Sequence, residues 1–366
     1  MAFLPFPAGN IIMMAVGAVL IYLAIRRGYE PMLLVPIGFG AILVNLPYGG
    51  LMDQGGILRI IYDAGILTEI FPILIFVGIG AMTDFGVLLE KPSMLAYSIP
   101  AHLGIPAAFL AAYLIGFKPL EALSVGIIGA MDGPTAIYVT SQYAPSLLAP
   151  VTVCAYSYMS MIPILQVPLS KLLISKRERL TRMEYTPGKF AQPIRVVFPI
   201  FVTVVAGLIA PKGIPLVGSL MLGNFMKESG VVDRLAKSAQ NEISNVTTLL
   251  LGVTIGGTMI ADQFLNVGTL LIFALGLLAF VVGLSAGLLA AKIAYYLTGG
   301  RVNPLVGATG VSAFPMAART AHMIARSEDP DNWLLMHAMA ANTGGQIASV
   351  VAGGAMLSLA PLFLGA

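Results

Sequence analysis

Apolar residues run through this chain in long unbroken blocks separated by short polar punctuation. Blocks of this kind predict membrane-spanning helices rather than the short alternating segments of a transmembrane barrel. The first block covers 10–25 and is closed by Arg26 and Arg27. Others cover 32–46, 66–83 and 93–117, with GAMTDFG (Gly80–Gly86) and Lys91 between the last two. The stretch 120–139 is apolar but interrupted by DGPT (Asp132–Thr135), and 147–174 carries Pro163 and Pro168.

A polar stretch, 175–195, then divides the chain. It holds Lys176, Arg177, Arg179, Arg182, Lys189 and Arg195 against Glu178 and Glu184, so the positive-inside rule places it in the cytoplasm. The second half follows the same pattern, with apolar blocks at 196–210, 214–225, 243–261 and 268–297 and a charged connection at 233–242. A second interrupted segment follows at 303–319, then a polar loop at 320–332 and one or two closing helices over 333–364. The predicted organisation is a membrane half (1–174), a basic cytoplasmic loop (175–195) and a second membrane half (196–366). Arg26 and Arg27 also lie inside by the same rule, which requires an even number of crossings between them and the basic loop. Five segments lie between those points. A re-entrant hairpin at DGPT resolves the parity, and so would one misassigned helix.

Composition fixes the class. Of 366 residues, 58% are hydrophobic and 10% charged, where a soluble domain carries about 25% charged residues. Mean hydropathy is +0.90. The fold class expected is an all-α polytopic membrane protein with roughly ten to twelve membrane segments. The two Gly/Pro-interrupted segments lie about half a chain apart, a pattern of inverted-repeat transporters with a site at the repeat interface. Net charge of +3 suggests no nucleic-acid partner, and the single cysteine, Cys154, excludes a disulfide framework within the chain. The start lacks a basic region before its apolar run, which reads as a retained helix rather than a cleaved leader.

Asp132 is the first chemical candidate. A carboxylate at membrane depth costs about 2.5–3.5 kcal/mol on insertion scales and calls for a partner or a task. With backbone carbonyls freed at Gly133 and Pro134 it would form an oxygen cage for an alkali cation; alternatively it caps the following helix. The second interrupted segment offers Asn303, Gly307, Ser312 and Arg319. Asn303 before Pro304 is equally ordinary capping chemistry. Arg319 is either a terminal positive-inside charge or a bidentate clamp for a carboxylate. Asn342 and Gln346 share a helical face and would either complete a cation site or bond across helices. Tyr156 and Tyr158 point to different faces; one of them would donate a proton or hydrogen bond inside the protein, or both are interfacial anchors as most membrane tyrosines are. Asp84, Asp262 and Gln263 read as helix-end residues, and His102, His322 and His337 show no metal-ligand spacing. There is no Walker loop, and the MKES at Met226 falls short of a biotin-attachment motif.

Several long blocks in one order give a more specific signal. From PMLLVPIGFGAILVNLP (Pro31–Pro47) onward, the chain resembles the β subunit of sodium-translocating carboxybiotin decarboxylases, which include the oxaloacetate, methylmalonyl-CoA and glutaconyl-CoA decarboxylase pumps. The blocks are GIGAMTDFG (Gly78–Gly86), GIIGAMDGPTAIY (Gly126–Tyr138), AYSYMSMIPILQ (Ala155–Gln166), GNFMKESGVVDRL (Gly223–Leu235) and NPLVGATGVSAFPMAAR (Asn303–Arg319). The resemblance implies a membrane subunit that decarboxylates carboxybiotin, consumes a proton and exports Na+. The biotin would sit on a partner subunit, not on this chain. It implies Asp132, Asn303, Gly307 and Asn342 as ion-binding residues, with Asp132, Asn303 and Asn342 contacting the metal. Tyr158, Ser312 and Arg319 would serve proton transfer and carboxybiotin handling. Implied partners are biotin carrier and carboxyltransferase subunits, a small membrane subunit and further copies of this chain, in a bacterial or archaeal cytoplasmic membrane. The late segment MAANTGGQIASV (Met339–Val350) departs from the family's GPNVAGVIGS-like run while keeping Asn342. The chain also lacks the polar insertion that oxaloacetate members can carry after the second helix, which leans towards the acyl-CoA members. On residues alone, a secondary sodium-coupled carboxylate transporter and a non-catalytic membrane anchor remain open alternatives.

Overall fold

The computed structural model describes residues 7–28, 31–185 and 191–364. The expected basic residue Lys189 lies outside them. All regular structure among the described residues is helical, as the continuous apolar blocks require. Among the described residues, five helices are long and apolar enough to cross a membrane: Ala8–Arg27, Pro92–Ile115, Gln192–Ile209, Val267–Leu297 and Leu335–Ala360. Two bent pairs, Ile57–Ile66 with Ile70–Met82 (61°) and Pro145–Met159 with Ile162–Leu173 (58°), raise that to seven if each pair is one span. The protein is therefore a multi-pass membrane protein. The larger count expected from sequence included pieces such as Pro31–Val44 and Pro119–Ala130, which are apolar but shorter. At 1.5 Å per residue a 14-residue helix covers only about 21 Å of a core about 30 Å thick.

Small residues set the packing. Helix Pro31–Val44 lies against Ser244–Gly257, and helix Ile214–Ser229 lies against Ile70–Met82. In each pair a glycine from both sides admits the opposing backbone: a Cβ at Gly40 or Gly256, or at Gly80 or Gly223, would collide with main-chain atoms of the partner. Such close approach suits helices in lipid, where association rests on van der Waals packing rather than apolar burial.

The two interrupted segments are broken where the sequence predicts. The first runs as Pro119–Gly126, a 3-10 turn Ile127–Ala130, and a new helix Gly133–Tyr143. Met131 bridges them with φ 55°, a left-handed conformation costly for a non-glycine residue. The second runs as a 3-10 turn Pro304–Thr309, an irregular stretch, and helix Met316–Glu328. Its two ends meet the same neighbours. The Asn303 amide donates to the carbonyls of Arg179 (2.9 Å) and Thr181 (2.8 Å), while Arg179 pairs with Glu328 at 2.6 Å. This segment enters the bundle and returns to the side it left.

Around that point the basic stretch is clamped. Arg182 forms two bonds to Asp329, at 2.6 and 2.8 Å, and Lys292 reaches Glu178 at 3.5 Å. The Arg179 bond holds the Glu328 carboxyl below the usual carboxylate range. Tyr185 donates to Glu90, and burial together with that carboxylate pushes its phenol up to about 12.

Candidate functional site

Both breaks converge on Asp132. Its backbone is extended and caps helix Gly133–Tyr143, with Oδ1 accepting from the Thr135 amide at 3.4 Å. The carboxylate is 5% exposed. Oδ2 accepts from the Ser349 hydroxyl at 2.6 Å and from the Ser312 hydroxyl at 3.1 Å, and these hydroxyls are 3.1 Å apart. Ser312 comes from the second break and Ser349 from the last helix. A glycine is required beside the carboxylate: a Cβ at Gly133 would fall inside the Tyr156 ring.

The donor set defines the electrostatics. Among the described residues no lysine, arginine or histidine forms an ion pair with Asp132. A buried carboxylate held only by neutral hydroxyl and amide donors lacks the countercharge such a group needs. Oxygen lone pairs are in surplus nearby. Ser349 has one proton and three acceptors within reach: Asp132, the Ser312 hydroxyl and the Gln346 carbonyl at 2.9 Å. Two turns back along the last helix, the Asn342 amide donates to the Val311 carbonyl at 2.7 Å while its own Oδ1 is buried without a partner. No cluster of three or more His, Cys, Asp or Glu exists among the described residues, so a transition-metal site is not formed by them. One carboxylate with hydroxyl and carbonyl oxygens suits a hard monovalent cation instead.

A cavity of 470 Å³ leads to this cluster. Asp132, Gly133, Ser312 and Tyr156 line one part of it. Met32 and Leu33, at the start of their helix, and Met82 and Thr83, at the end of theirs, line another. The Thr83 hydroxyl lies 3.0 Å from the Gln346 side-chain oxygen, and its carbonyl accepts from Lys227 (2.9 Å) and Asn224 (3.2 Å).

The sequence candidates divide accordingly. Asp132 and Ser312 are joined, and Asn342 stands one helical turn from Gln346 on the helix that supplies Ser349. Asn303 is elsewhere, fully buried and spent on carbonyls of the 175–185 stretch. Gly307 packs backbone to backbone on Gly287. The Tyr158 hydroxyl donates to the Phe273 carbonyl at 2.9 Å, and its ring packs on Phe273 and Phe280 rather than lining the cavity. Arg319 is exposed on helix Met316–Glu328, with no side-chain hydrogen bond or ion pair to the described residues. Sequence reasoning does not single out Ser349 or Tyr156 as site residues. Asn342, Gln346 and Ser349 recur at four and three residues, a single helical face, and that spacing is the signal available for Ser349.

Comparison with known proteins gives concordant relationships. The profile of the family described as "Na+-transporting oxaloacetate decarboxylase beta subunit" matches residues 9–360. The chain is 47% identical to the glutaconyl-CoA decarboxylase subunit beta of Acidaminococcus fermentans, covering 98% of this chain and 95% of that one. It is 45% identical to the methylmalonyl-CoA decarboxylase subunit beta of Veillonella parvula, over 98% and 95% of the two chains. Identity to the oxaloacetate decarboxylase beta chain 2 of Salmonella typhi is 37%, over 96% and 95%. That last alignment spans 411 positions, more than the length of this chain, so the oxaloacetate relative carries segments absent here.

Proposed function

The chain belongs to the beta subunit family of Na+-transporting decarboxylases, and on that premise we propose that it decarboxylates carboxybiotin and couples this to sodium export across a bacterial or archaeal cytoplasmic membrane. The observation that carries the reading is the unpaired Asp132 carboxylate, buried at the meeting point of both breaks and hydrogen-bonded only to neutral groups. Sodium is the missing countercharge, held by Asp132 with oxygens of Ser312, Ser349 and the Gln346 carbonyl. The Asn342 Oδ1, beside the Val311 carbonyl that precedes Ser312, is a further buried oxygen available on the same helix. Asn303 and Gly307 act differently from the ligand role implied by resemblance: one caps and tethers the second break, the other seats it against helix Val267–Leu297.

The chemistry is a single bond cleavage. The bond between the carboxyl carbon and the ureido nitrogen of carboxybiotin breaks, its electron pair stays on nitrogen, nitrogen takes one proton, and CO2 leaves. Moving one sodium ion against 100 mV costs about 2.3 kcal/mol, and each tenfold concentration ratio adds about 1.4. Decarboxylation must cover that sum for each ion. Arg319, exposed and uncommitted, is the group available to meet the carboxylate of the arriving substrate. Tyr158 supports the helix pair around the site rather than the proton path, because its hydroxyl is committed to Phe273.

The recurrence of one element order supports a repeat of two halves. Ala8–Arg27, Pro31–Val44, a π-turn Tyr62–Ile66 and Ile70–Met82 match Gln192–Ile209, Ile214–Ser229, a π-turn Ala239–Ile243 and Ser244–Gly257. A long helix, a 3-10 break and its return helix follow in both. Partners in this reading are the biotin carrier and carboxyltransferase subunits, a small membrane subunit and further copies of this chain.

The test is decarboxylation of a pre-carboxylated biotin carrier by the purified chain, with and without sodium. Sodium-stimulated release of CO2 is expected. Sodium-dependent carboxylate uptake into vesicles without CO2 release would favour a transporter and overturn the proposal.

A further inference from the structure

One wall of the cavity carries polar groups that the sodium cluster does not use. Gln240, Ser244 and Thr248 recur every fourth residue along one helical face, with Asn245 beside them. Gln240 lies within the π-turn Ala239–Ile243, a local widening of the helix often found at functional sites. Its Nε2 donates to the Ala81 carbonyl at 2.6 Å, which fixes the side chain and leaves Oε1 without a partner among the described residues. The side chains of Ser244, Asn245 and Thr248 form no hydrogen bond to any described residue, although Ser244 and Thr248 are at least nine-tenths buried. Met32, Ile75 and Met159 are among the apolar side chains that line the same cavity.

A sodium ion explains neither the size of this space nor the apolar side chains that line much of it. An apolar cavity with a few unpartnered polar groups on one side fits a compact ligand whose own polar edge is confined to one side. We infer that the face formed by Gln240, Ser244 and Thr248 is the binding site for the cyclic urea edge of the biotin ring system, with the apolar wall taking its thioether ring. This rests on the function proposed above. The free Gln240 oxygen accepts from a ureido N–H, and the two hydroxyls donate to the ureido carbonyl. Bound so, the ring lies in the same cavity as Asp132. The sodium carboxylate and the carbon–nitrogen bond that breaks then share one enclosure.

The experiment compares the wild-type complex with Gln240→Leu and Thr248→Val. Initial decarboxylation rates are titrated against the carboxylated carrier at saturating sodium, then against sodium at saturating carrier, with biotin methyl ester as a competitor. Thr248→Val keeps shape and has no bond to lose inside the chain, so it separates binding from folding if Gln240→Leu proves unstable. Loss of a hydrogen bond to substrate predicts a rise of about tenfold in KM for the carrier and in the inhibition constant of the ester. The sodium half-saturation stays within about twofold. An unchanged KM and inhibition constant in Thr248→Val, or a shift confined to sodium, would overturn the assignment while leaving the proposed function standing. A wild-type complex that releases no CO2 would remove the function and this inference together.

Discussion

The Ser349 hydroxyl lies 2.6 Å from Oδ2 of Asp132, joining the last helix to the first break at a point where a third element, carrying Ser312, also arrives. Three segments distant in sequence thus share one carboxylate. Any movement of one relative to another changes the oxygens around that charge, which is how an ion site can be coupled to a change of access.

Asp132→Asn keeps the side chain's shape and removes its charge. The variant is expected to reach the membrane in normal amounts and to lose sodium-stimulated decarboxylation by at least about a hundredfold, which corresponds to about 2.7 kcal/mol. Expression level and CO2 release check the two halves of this statement separately.

Ser349→Ala and Ser312→Ala each remove a hydroxyl from the same carboxylate oxygen. Each hydroxyl oxygen is also a proposed sodium ligand, so each variant should raise the sodium half-saturation by about tenfold or more. The two hydroxyls also touch each other at 3.1 Å, so the double variant should fall short of the sum of the single effects. Full additivity in a double-mutant cycle would count against a shared site.

Gly133→Ala places a methyl group in the Tyr156 ring. Overpacking of this kind costs about 1–3 kcal/mol and displaces the Asp132 backbone with it. The expected outcome is reduced thermal stability and reduced sodium affinity, both partly restored when Tyr156→Leu opens the space. A wild-type melting temperature in Gly133→Ala would contradict the packing described.

The Arg179–Glu328 pair ties the second break to the 175–185 stretch. Because Arg179 depresses the Glu328 pKa, its contribution is complete above the ordinary carboxylate range and is lost as pH falls through the folded value. Glu328→Gln should therefore lower stability by about 1 kcal/mol at pH 7. The difference from wild type should shrink as the pH is taken down through the acid range. Melting curves across pH measure it, and a gap that widens on acidification would reverse the sign assigned here.

Much of this is legible in the sequence. Unbroken apolar blocks and sparse charge fix a helical membrane protein, because at that composition a helix is what satisfies the backbone in lipid. DGPT and NPLVG announce the two breaks, since glycine and proline release hydrogen bonds that a continuous helix would use. Asp132 and Ser312 stand out on that basis. Asn303 and Gly307 share the second break's signature, yet the Asn303 amide bonds the Arg179 and Thr181 carbonyls and Gly307 packs on the Gly287 backbone. A sequence pattern marks where a helix breaks, not which of the buried groups beside the break reaches the Asp132 carboxylate. Ser349 is hidden in a run of small residues, where one hydroxyl is ordinary helix-packing chemistry. Choosing between Tyr156 and Tyr158 needs the helix rotation: two residues apart, one ring lines the cavity and the other is committed to Phe273.

Equilibrium binding of radioactive sodium to the purified chain, wild type against Asp132→Asn, tests the central claim most directly. Saturable binding in the wild type that falls by at least about a hundredfold in affinity in the variant is the predicted result. Equal sodium binding by both proteins would contradict the assignment of Asp132 as the sodium carboxylate.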